Sequence, residues 1–522
     1  MSNATPSSQS IILKTIQVGA NTFLSRIFGL AREILLLRLL GVGVLADAFN
    51  TAFMLPNSLR KIFAEGALTS AFVPTFIHTL KKDGKRPANG LMTLCFVVFE
   101  SLLLSLCIIV MCFPRATIKL LAPGYSESTA QAAIPLLQIL MPLIFFISSS
   151  ALFAGALNSV GHFFVPAFAP VIINVSFLIG ILGCLYYNYS ITFLCWAIII
   201  GTAVQCLMHA WAYFYCGFSF ERFTHETLTS FKSMLTKFLF CFMSNSVMEV
   251  GLFVDQQFAS YLPTGSVTLI KYAHRLMGIP LGVFAVAFTT ILLPHFTKVT
   301  MDNPEKIEFY LNQSLKFVLW ITLPATIIMM FFSQEVFLTL FASFSSKFPI
   351  ARLPEAGAIL AAFLSGLMFF SLNKIFTTLF FALHNTKIPT LVTSLGTVVN
   401  IIANYLLVGK FGAPGLAFAT SFGGLFQTIL FAYLLESYTS YRIHYKALAQ
   451  FALRYLIIIM ISLSTHYALY KKCYLYIDGL EKPFFISGIG FWLWVGPLIL
   501  MVYVWLYAMR RWTDKNIYFL GK

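Results

Sequence analysis

Charge is what this chain has least of. Of its 522 residues only 10% are Asp, Glu, Lys or Arg, against 59% hydrophobic, whereas a soluble protein carries about a quarter charged residues. From Ser128 to Phe220 there is no charged residue at all. That is far too long for a buried core helix and has room for three spans of about 20 residues each. A soluble all-helical core is thereby excluded. Catalytic signatures are missing too: there is no Walker A, no G-x-S-x-G and no H-E-x-x-H, and the nine histidines show no metal spacing. No enzyme is expected. The nine cysteines form no C-x-x-C, lie mostly within apolar segments and read as small fillers. No A-x-A-like cleavage site follows the polar start "MSNATPSSQS", so the first hydrophobic segment is expected to be a retained span and not a signal peptide.

What is present is a series of apolar runs. Their punctuation gives fourteen segments, at 11–40, 45–80, 90–113, 130–160, 164–187, 190–216, 236–262, 265–298, 309–334, 352–384, 387–409, 413–437, 447–472 and 485–510. All should be helices, because an open sheet edge has no place in lipid and barrel strands would alternate. The 55 Phe read as lipid-facing bulk and many of the 22 Tyr as interface markers. Net charge is +16, and in an apolar chain this first suggests positive-inside orientation and no nucleic acid. "KKDGKR" (Lys81 to Arg86), Arg222, Lys232, Lys237, Arg442, Lys446, Arg510 and Arg511 fall on one side, which places both termini in the cytoplasm.

The two halves echo each other. "FAGALNSVGHFFVPAFAPVIINV" near 153–175 resembles "FFALHNTKIPTLVTSLGTVVNII" near 380–402, and "LPNSLRKIFAEGALTSAFVP" resembles "IPLGVFAVAFTTILLP", both at an offset of about 220 residues. The fold expected is an all-α polytopic membrane protein, with 14 transmembrane helices as two pseudo-symmetric six-helix lobes plus two C-terminal helices. The divisions are 1–216 (helices 1–6), 217–237 (an amphipathic interfacial linker helix), 238–440 (helices 7–12) and 441–522 (helices 13 and 14 with a cytoplasmic tail). Same-sense repeats of six spans are transporter architecture and imply a cavity that opens to either side.

Charges within these spans are expensive, roughly 2.5–3.5 kcal/mol each at mid-bilayer. Internal salt bridges would satisfy some of them, such as Lys61 with Glu65 at i, i+4. They do not suffice for the set, since Arg26, Arg32, Arg60, Lys61, Lys271 and Arg275 outnumber Glu33, Asp47 and Glu65. Arginine stays charged and presents a planar fork to phosphate oxygens. A cationic cavity therefore argues for an anionic substrate, a phosphate or diphosphate, and against a pump for cationic drugs.

The segments "SRIFGLAREILL", "LADAFNTAFMLPNSLRKIFAEGALTSAFVPTF", "YAHRLMGIPLGVFAVAFTTILLP" and "GALNSVGHFFVPAFAPVIIN" closely resemble the MurJ/MviN family of lipid II flippases, within the multidrug/oligosaccharidyl-lipid/polysaccharide exporter superfamily. The resemblance covers nearly the whole chain. It implies a flippase that moves lipid II, the undecaprenyl-diphosphate-linked peptidoglycan precursor, from the inner to the outer leaflet of the bacterial cytoplasmic membrane by alternating access. By motif, the family's cavity arginines fall on Arg26, Arg32, Arg60 and Arg275, and their acidic partners on Glu33 and Asp47. His274 and Gly278 stand where acidic residues often flank the last arginine. The resemblance also implies a sodium site at Asp255, Asn400, Asn404 and Thr420, with the amide Asn404 in place of a carboxylate; sodium would be a coupling ion, and no other cofactor is expected. Lipid II and membrane lipids are the expected partners and the expected state is a monomer, with contact to cell-wall synthases left open. A flippase for another polyprenyl-diphosphate glycan, or a cation-coupled exporter of small solutes, stays open as an alternative.

Overall fold

The computed structural model describes residues 29, 31–341 and 347–477 and eight single positions between Trp492 and Tyr507. Arg26, most of segments 11–40 and 485–510, and the side chain of Glu65 lie outside the described residues. Every regular element among them is helical. Ten helices are long and apolar enough to cross a membrane. One of them, Lys387–Tyr438, accounts for two expected segments. The second expected segment is also helical but is not among that set.

The chain divides into two compact units, Met1–Gly265 and Ser266–Lys522. The first begins with α1 (residues 31–40), which ends at Gly41. Gly41 takes φ 67°, the left-handed conformation that glycine enters freely, and its N–H returns to the Leu37 carbonyl at 2.7 Å. The chain continues there into α2 (Val44–Arg60), a π-helical segment (Lys61–Leu68) and α3 (Thr69–Lys82). Next come α4 (Lys85–Cys112), α5 (Pro114–Leu121), α6 (Glu127–Leu140), α7 (Leu143–Ser159), α8 (Phe164–Tyr186), α9 (Ile191–Tyr215) and α10 (His225–Ser260). α2 packs on α6, α7 and α8 on α9, and α10 along α3, α4 and the π segment. No separate linker helix occupies 217–237: a short loop leads into α10, capped by reciprocal Thr224 and Thr227 bonds. The cap satisfies the open N–H groups of the first turn, so the amphipathic stretch continues into the next span.

The second unit holds α11 (Ser266–Pro280), a second π segment (Leu281–Val286), α12 (Ala287–Asp302), α13 (Ile307–Phe331) and α14 (Ser333–Leu340). It continues with α15 (Leu353–Leu364), α16 (Leu367–Ala382), α17 (Lys387–Tyr438) and α18 (Tyr445–Ile477). α15 and α16 pack on α17, and α13 on α16. Phenylalanine is not only lipid-facing bulk. Phe49, Phe72, Phe76 and Phe99 in the first unit, and Phe296, Phe337, Phe380 and Phe431 in the second, are fully buried, because aromatic rings fill large inter-helix volumes. Tyr186, Tyr187 and Tyr189 are exposed at the α8–α9 turn, as interface markers would be.

The internal repeat is visible in the backbone. The π segments begin at Lys61 and Leu281, 220 positions apart. After α7, the His162 N–H bonds to the Leu157 carbonyl and Gly161 to Asn158. After α16, Asn385 bonds to Phe380 and His384 to Phe381. Both are Schellman closures, 223 positions apart, with left-handed residues at Gly161 and His384.

α17 is continuous except at Gly412, with φ 62° and ψ −138°. Only glycine enters that region without strain. Gly412→Ala should lower the melting temperature of the purified protein, at a cost of about 1–3 kcal/mol. Gly409→Ala, within regular helix and with open space around the added methyl, should leave it unchanged or raise it. Differential scanning fluorimetry of the two variants checks this.

Candidate functional site

Arg32 and Arg60 of the first unit sit on the two helices that the turn at Gly41 joins. At 1.5 Å per residue, Arg32 lies about 12 Å along α1 from the turn and Arg60 about 24 Å along α2. Arg32 is 17% exposed and its neighbour Glu33 5%. Its Nη2 donates to Glu33 Oε1 at 2.8 Å and its Nη1 to Asn174 Oδ1 of α8 at 3.1 Å. The guanidinium carbon stands 4.6 Å from the centre of the Phe177 ring, a cation–π contact. The buried Nε–H has no hydrogen-bond partner among the described residues. Three neighbours thus fix the plane of the guanidinium, and three of its five N–H donors take no part in these bonds.

Arg60 closes α2. Its Nε and Nη2 both donate to Asn57 Oδ1, at 3.2 and 3.1 Å, one turn back on the same helix. Lys61 opens the π segment and donates to Glu249 Oε1 of α10 at 3.1 Å. The side chain of Glu65, the i, i+4 partner expected for Lys61, lies outside the described residues; α10 supplies an ion pair across a tertiary contact that spacing along one helix does not reveal. π segments aim side chains off the regular helical stripe and recur at functional positions. Here one follows directly on the Arg60–Lys61 pair.

Asp47 is elsewhere. It is 2% exposed and sits thirteen residues before Arg60 on the same helix, about 20 Å away. Its Oδ2 accepts the Gly265 N–H at 2.5 Å, and its carbonyl accepts the Tyr125 hydroxyl at 3.2 Å. Tyr125 also bonds Thr51, to which Gln256 donates at 2.8 Å. Burial, and secondarily the Asp47 charge, raise the Tyr125 phenol above its usual range. Asp47 therefore ties α2 to the turn after α10 and to the chain before α6, and the structure does not bring it to Arg32 or Arg60.

In the second unit Lys271 and Arg275 lie one turn apart on α11, both half-buried, with the His274 ring edge-on to Phe363. Asn400 and Asn404, one turn apart on α17, are 7% and 0% exposed. Asn404 donates to Asn400 Oδ1 at 3.4 Å, and Asn400 to Thr420 Oγ1 at 3.3 Å. Three of the four residues of the expected sodium set thus form one buried oxygen-bearing cluster. Asp255 is half-buried on α10, in the first unit. Amide, hydroxyl and carboxylate oxygens suit a hard cation. An apolar cavity of about 260 Å³ opens beside α11, lined among others by Leu276, Pro280, Val283, Phe284, Trp492 and Ile499.

Asn174, Phe177, Asn57 and Glu249 are functional neighbours that sequence reasoning did not assign. Asn174 carried a signal, since it is the asparagine of the repeated Pro-then-Asn helix. The others are defined only by tertiary packing.

A family model described as "Lipid II flippase MurJ" matches residues 36–487. The chain is 32% identical over 438 residues to a probable lipid II flippase MurJ of Rhizobium meliloti (strain 1021), covering 81% of this chain and 80% of that one. It is 30% identical over 427 residues to a lipid II flippase MurJ of Burkholderia cenocepacia, covering 80% and 82%. Among solved structures, a lipid II flippase MurJ in an inward closed conformation superposes with TM-score 0.79 at 27% identity, over 95% of this chain and 99% of that one. An inward-facing multidrug resistance MATE family transporter shares the fold alone, with TM-score 0.69 at 16% identity over 79% and 94%.

Lys61 is partly exposed, at 39%, whereas Glu249 is 9% exposed. The pair should accordingly couple weakly, by about 1 kcal/mol. A double-mutant cycle of Lys61→Met and Glu249→Gln, read by thermal unfolding in detergent, should return a coupling of that size, and additive effects would show the pair to be incidental.

Proposed function

The chain belongs to the lipid II flippase MurJ family, and on that premise we infer that it carries lipid II across the bacterial cytoplasmic membrane. The cargo is an undecaprenyl diphosphate bearing a sugar–peptide headgroup. The family is one of transporters, and no bond is made or broken in the step. The work is instead to move a charged, bulky headgroup through a layer that excludes it, while the polyprenyl tail stays in lipid.

The observation that carries the residue-level reading is the held guanidinium of Arg32. A buried cation whose plane is set by Glu33, Asn174 and Phe177 is organised before the ligand arrives, which lowers the ordering cost of binding. The diphosphate docks on Arg32 and Arg60 in the first unit, with Arg26 and the second unit's Arg275 assigned by motif. Glu33 orients Arg32 without neutralising the whole basic set, and Asp47 acts as a structural tie. Diphosphate charge then relieves repulsion among the cations, which favours the change from the inward-open to the outward-open state. The apolar cavity beside α11 suits an isoprenoid chain, whose affinity comes from buried apolar area. Asn400, Asn404 and Thr420 would hold a sodium ion, with Asp255 assigned by motif alone, and the ion would supply a fixed positive charge inside the helices. The reading has both termini in the cytoplasm and a monomer as the working form.

Each charge-assisted hydrogen bond is worth about 1.5–3 kcal/mol, so loss of one guanidinium should weaken diphosphate capture roughly 10- to 100-fold. A bacterium depleted of its own flippase and expressing this chain should regain lipid II that an outside-only probe can reach. Arg32→Ala, Arg60→Ala and Arg275→Ala, at matched membrane abundance, should each lose most of that exposure, and Asn174→Ala should lose part of it. Normal export by all the arginine variants would make these residues structural. Well-expressed wild type that restores no exposure would instead redirect attention to another polyprenyl-diphosphate glycan.

A further inference from the structure

α4 carries one acidic residue within its apolar length, Glu100, near its middle. It is 4% exposed, and neither carboxyl oxygen has a hydrogen-bond partner among the described residues. Against it lies α7 with Ser148, Ser149 and Ser150, which are 0%, 1% and 3% exposed and whose hydroxyls are likewise unpartnered. Hydroxyls in other helices of this chain return to their own backbone, as Ser105 does to Ser101, Thr202 to Ile199, Thr322 to Val318 and Ser371 to Leu367. The three serines of α7 do not. Ser148 and Ser149 stand beside the Glu100 carboxyl, while Ser149 and Ser150 stand beside Cys206 of α9, itself close to Glu100.

Among the described residues no basic group compensates this carboxyl. The stretch Ser128 to Phe220, which supplies all of α7, α8 and α9, contains no charged residue. α10 meets α4 through Phe231, Met234 and Phe238, with His225, Lys232 and Lys237 exposed. Glu249 of α10 is paired with Lys61. His78, Lys81 and Lys82 of α3, Lys85 and Arg86 at the start of α4, Arg115 and Lys119 of α5 and Glu127 of α6 are exposed as well. The titratable groups near Glu100 are the thiols of Cys107 and Cys206. His209 sits one turn beyond Cys206, with Nδ1 on the Gln205 carbonyl.

An ionised carboxylate without a partner is very costly in such surroundings. A proton is the cation that removes the charge without needing room for a coordination shell. A hydroxyl both donates and accepts, so Ser148 and Ser149 can serve the carboxylic acid and the carboxylate alike. A carboxyl that stayed neutral for structural reasons alone would need only one fixed partner. We propose that Glu100, with Ser148 and Ser149, forms a proton-binding site inside the first unit, loaded and unloaded as α4 and α7 part and close again. Loading forms an O–H bond at one carboxylate oxygen with a proton taken from water; unloading returns that proton to water, and nothing is oxidised or reduced. The site itself is independent of the cargo, while its coupling to export rests on the flippase reading.

Infrared difference spectra of the full chain in nanodiscs, between acidic and alkaline buffers at constant sodium, test the site without cargo. Wild type should show a carboxylic-acid C=O band that titrates. Glu100→Gln, which keeps the shape and removes the proton, should lose that band, and Ser149→Ala should shift its midpoint to higher pH. A spectrum unchanged by Glu100→Gln, a band present at every pH, or a response that follows sodium at fixed pH would overturn the proposal. In cells, lipid II exposure by wild type should vary with external pH and that by Glu100→Gln should not; equal pH profiles would overturn the coupling. A titrating band in a protein that exposes no lipid II would leave the proton site standing and sink the cargo assignment.

Discussion

A guanidinium inside an apolar bundle must be solvated by protein, and the first unit is arranged around that demand at Arg32. Two hydrogen bonds and an aromatic face stand in for water. The partners come from α1 itself and from α8, which is distant in sequence. α8 can deliver Asn174 and Phe177 only because the turn after α7 closes on the Leu157 and Asn158 carbonyls and because α9 backs it along its length. A misplaced α8 would leave a buried charge short of a partner, at a cost larger than that of most apolar repacking.

Duplication supplied the same devices twice, and the two copies have diverged in use. Each unit has a π segment shortly after its cationic residues: Lys61–Leu68 after Arg60, and Leu281–Val286 after Lys271 and Arg275. Each has a Schellman turn leading to a helix with a buried asparagine. In the first unit that asparagine, Asn174, serves a guanidinium. In the second, Asn400 bonds to Thr420 and accepts from Asn404. Corresponding helices thus hold a guanidinium in one copy and an oxygen-bearing cluster in the other, at positions about one turn apart.

Helix number and type could be read from the chain because apolar length is nearly sufficient to define a span, and the repeat because its turns use distinctive Asn, Gly and Pro chemistry. Arg32, Glu33 and Arg60 were legible because a charge in an apolar run violates a strong rule. What the pattern did not convey was which charges meet. Lys61 pairs with Glu249 of α10, and Asp47 enters a network with Tyr125 and Gly265, about 20 Å along α2 from Arg60. Such pairings depend on helix packing, which leaves no local trace. The continuity of α10 across 225–260 escaped for a related reason: amphipathic composition marks a surface, whereas the Thr224 cap decides where the helix starts.

The uncharged stretch from Ser128 to Phe220 has a consequence for how the protein is made. The turns after α7 and after α8, at Val160–Phe163 and Tyr187–Ser190, contain no lysine or arginine, so the charge bias that orients most membrane helices has nothing to act on there. The orientation of α6 to α9 during insertion must be inherited from the basic loop before α4 and from Arg222 and the lysines of α10. These four helices enter the membrane as passengers of their flanks.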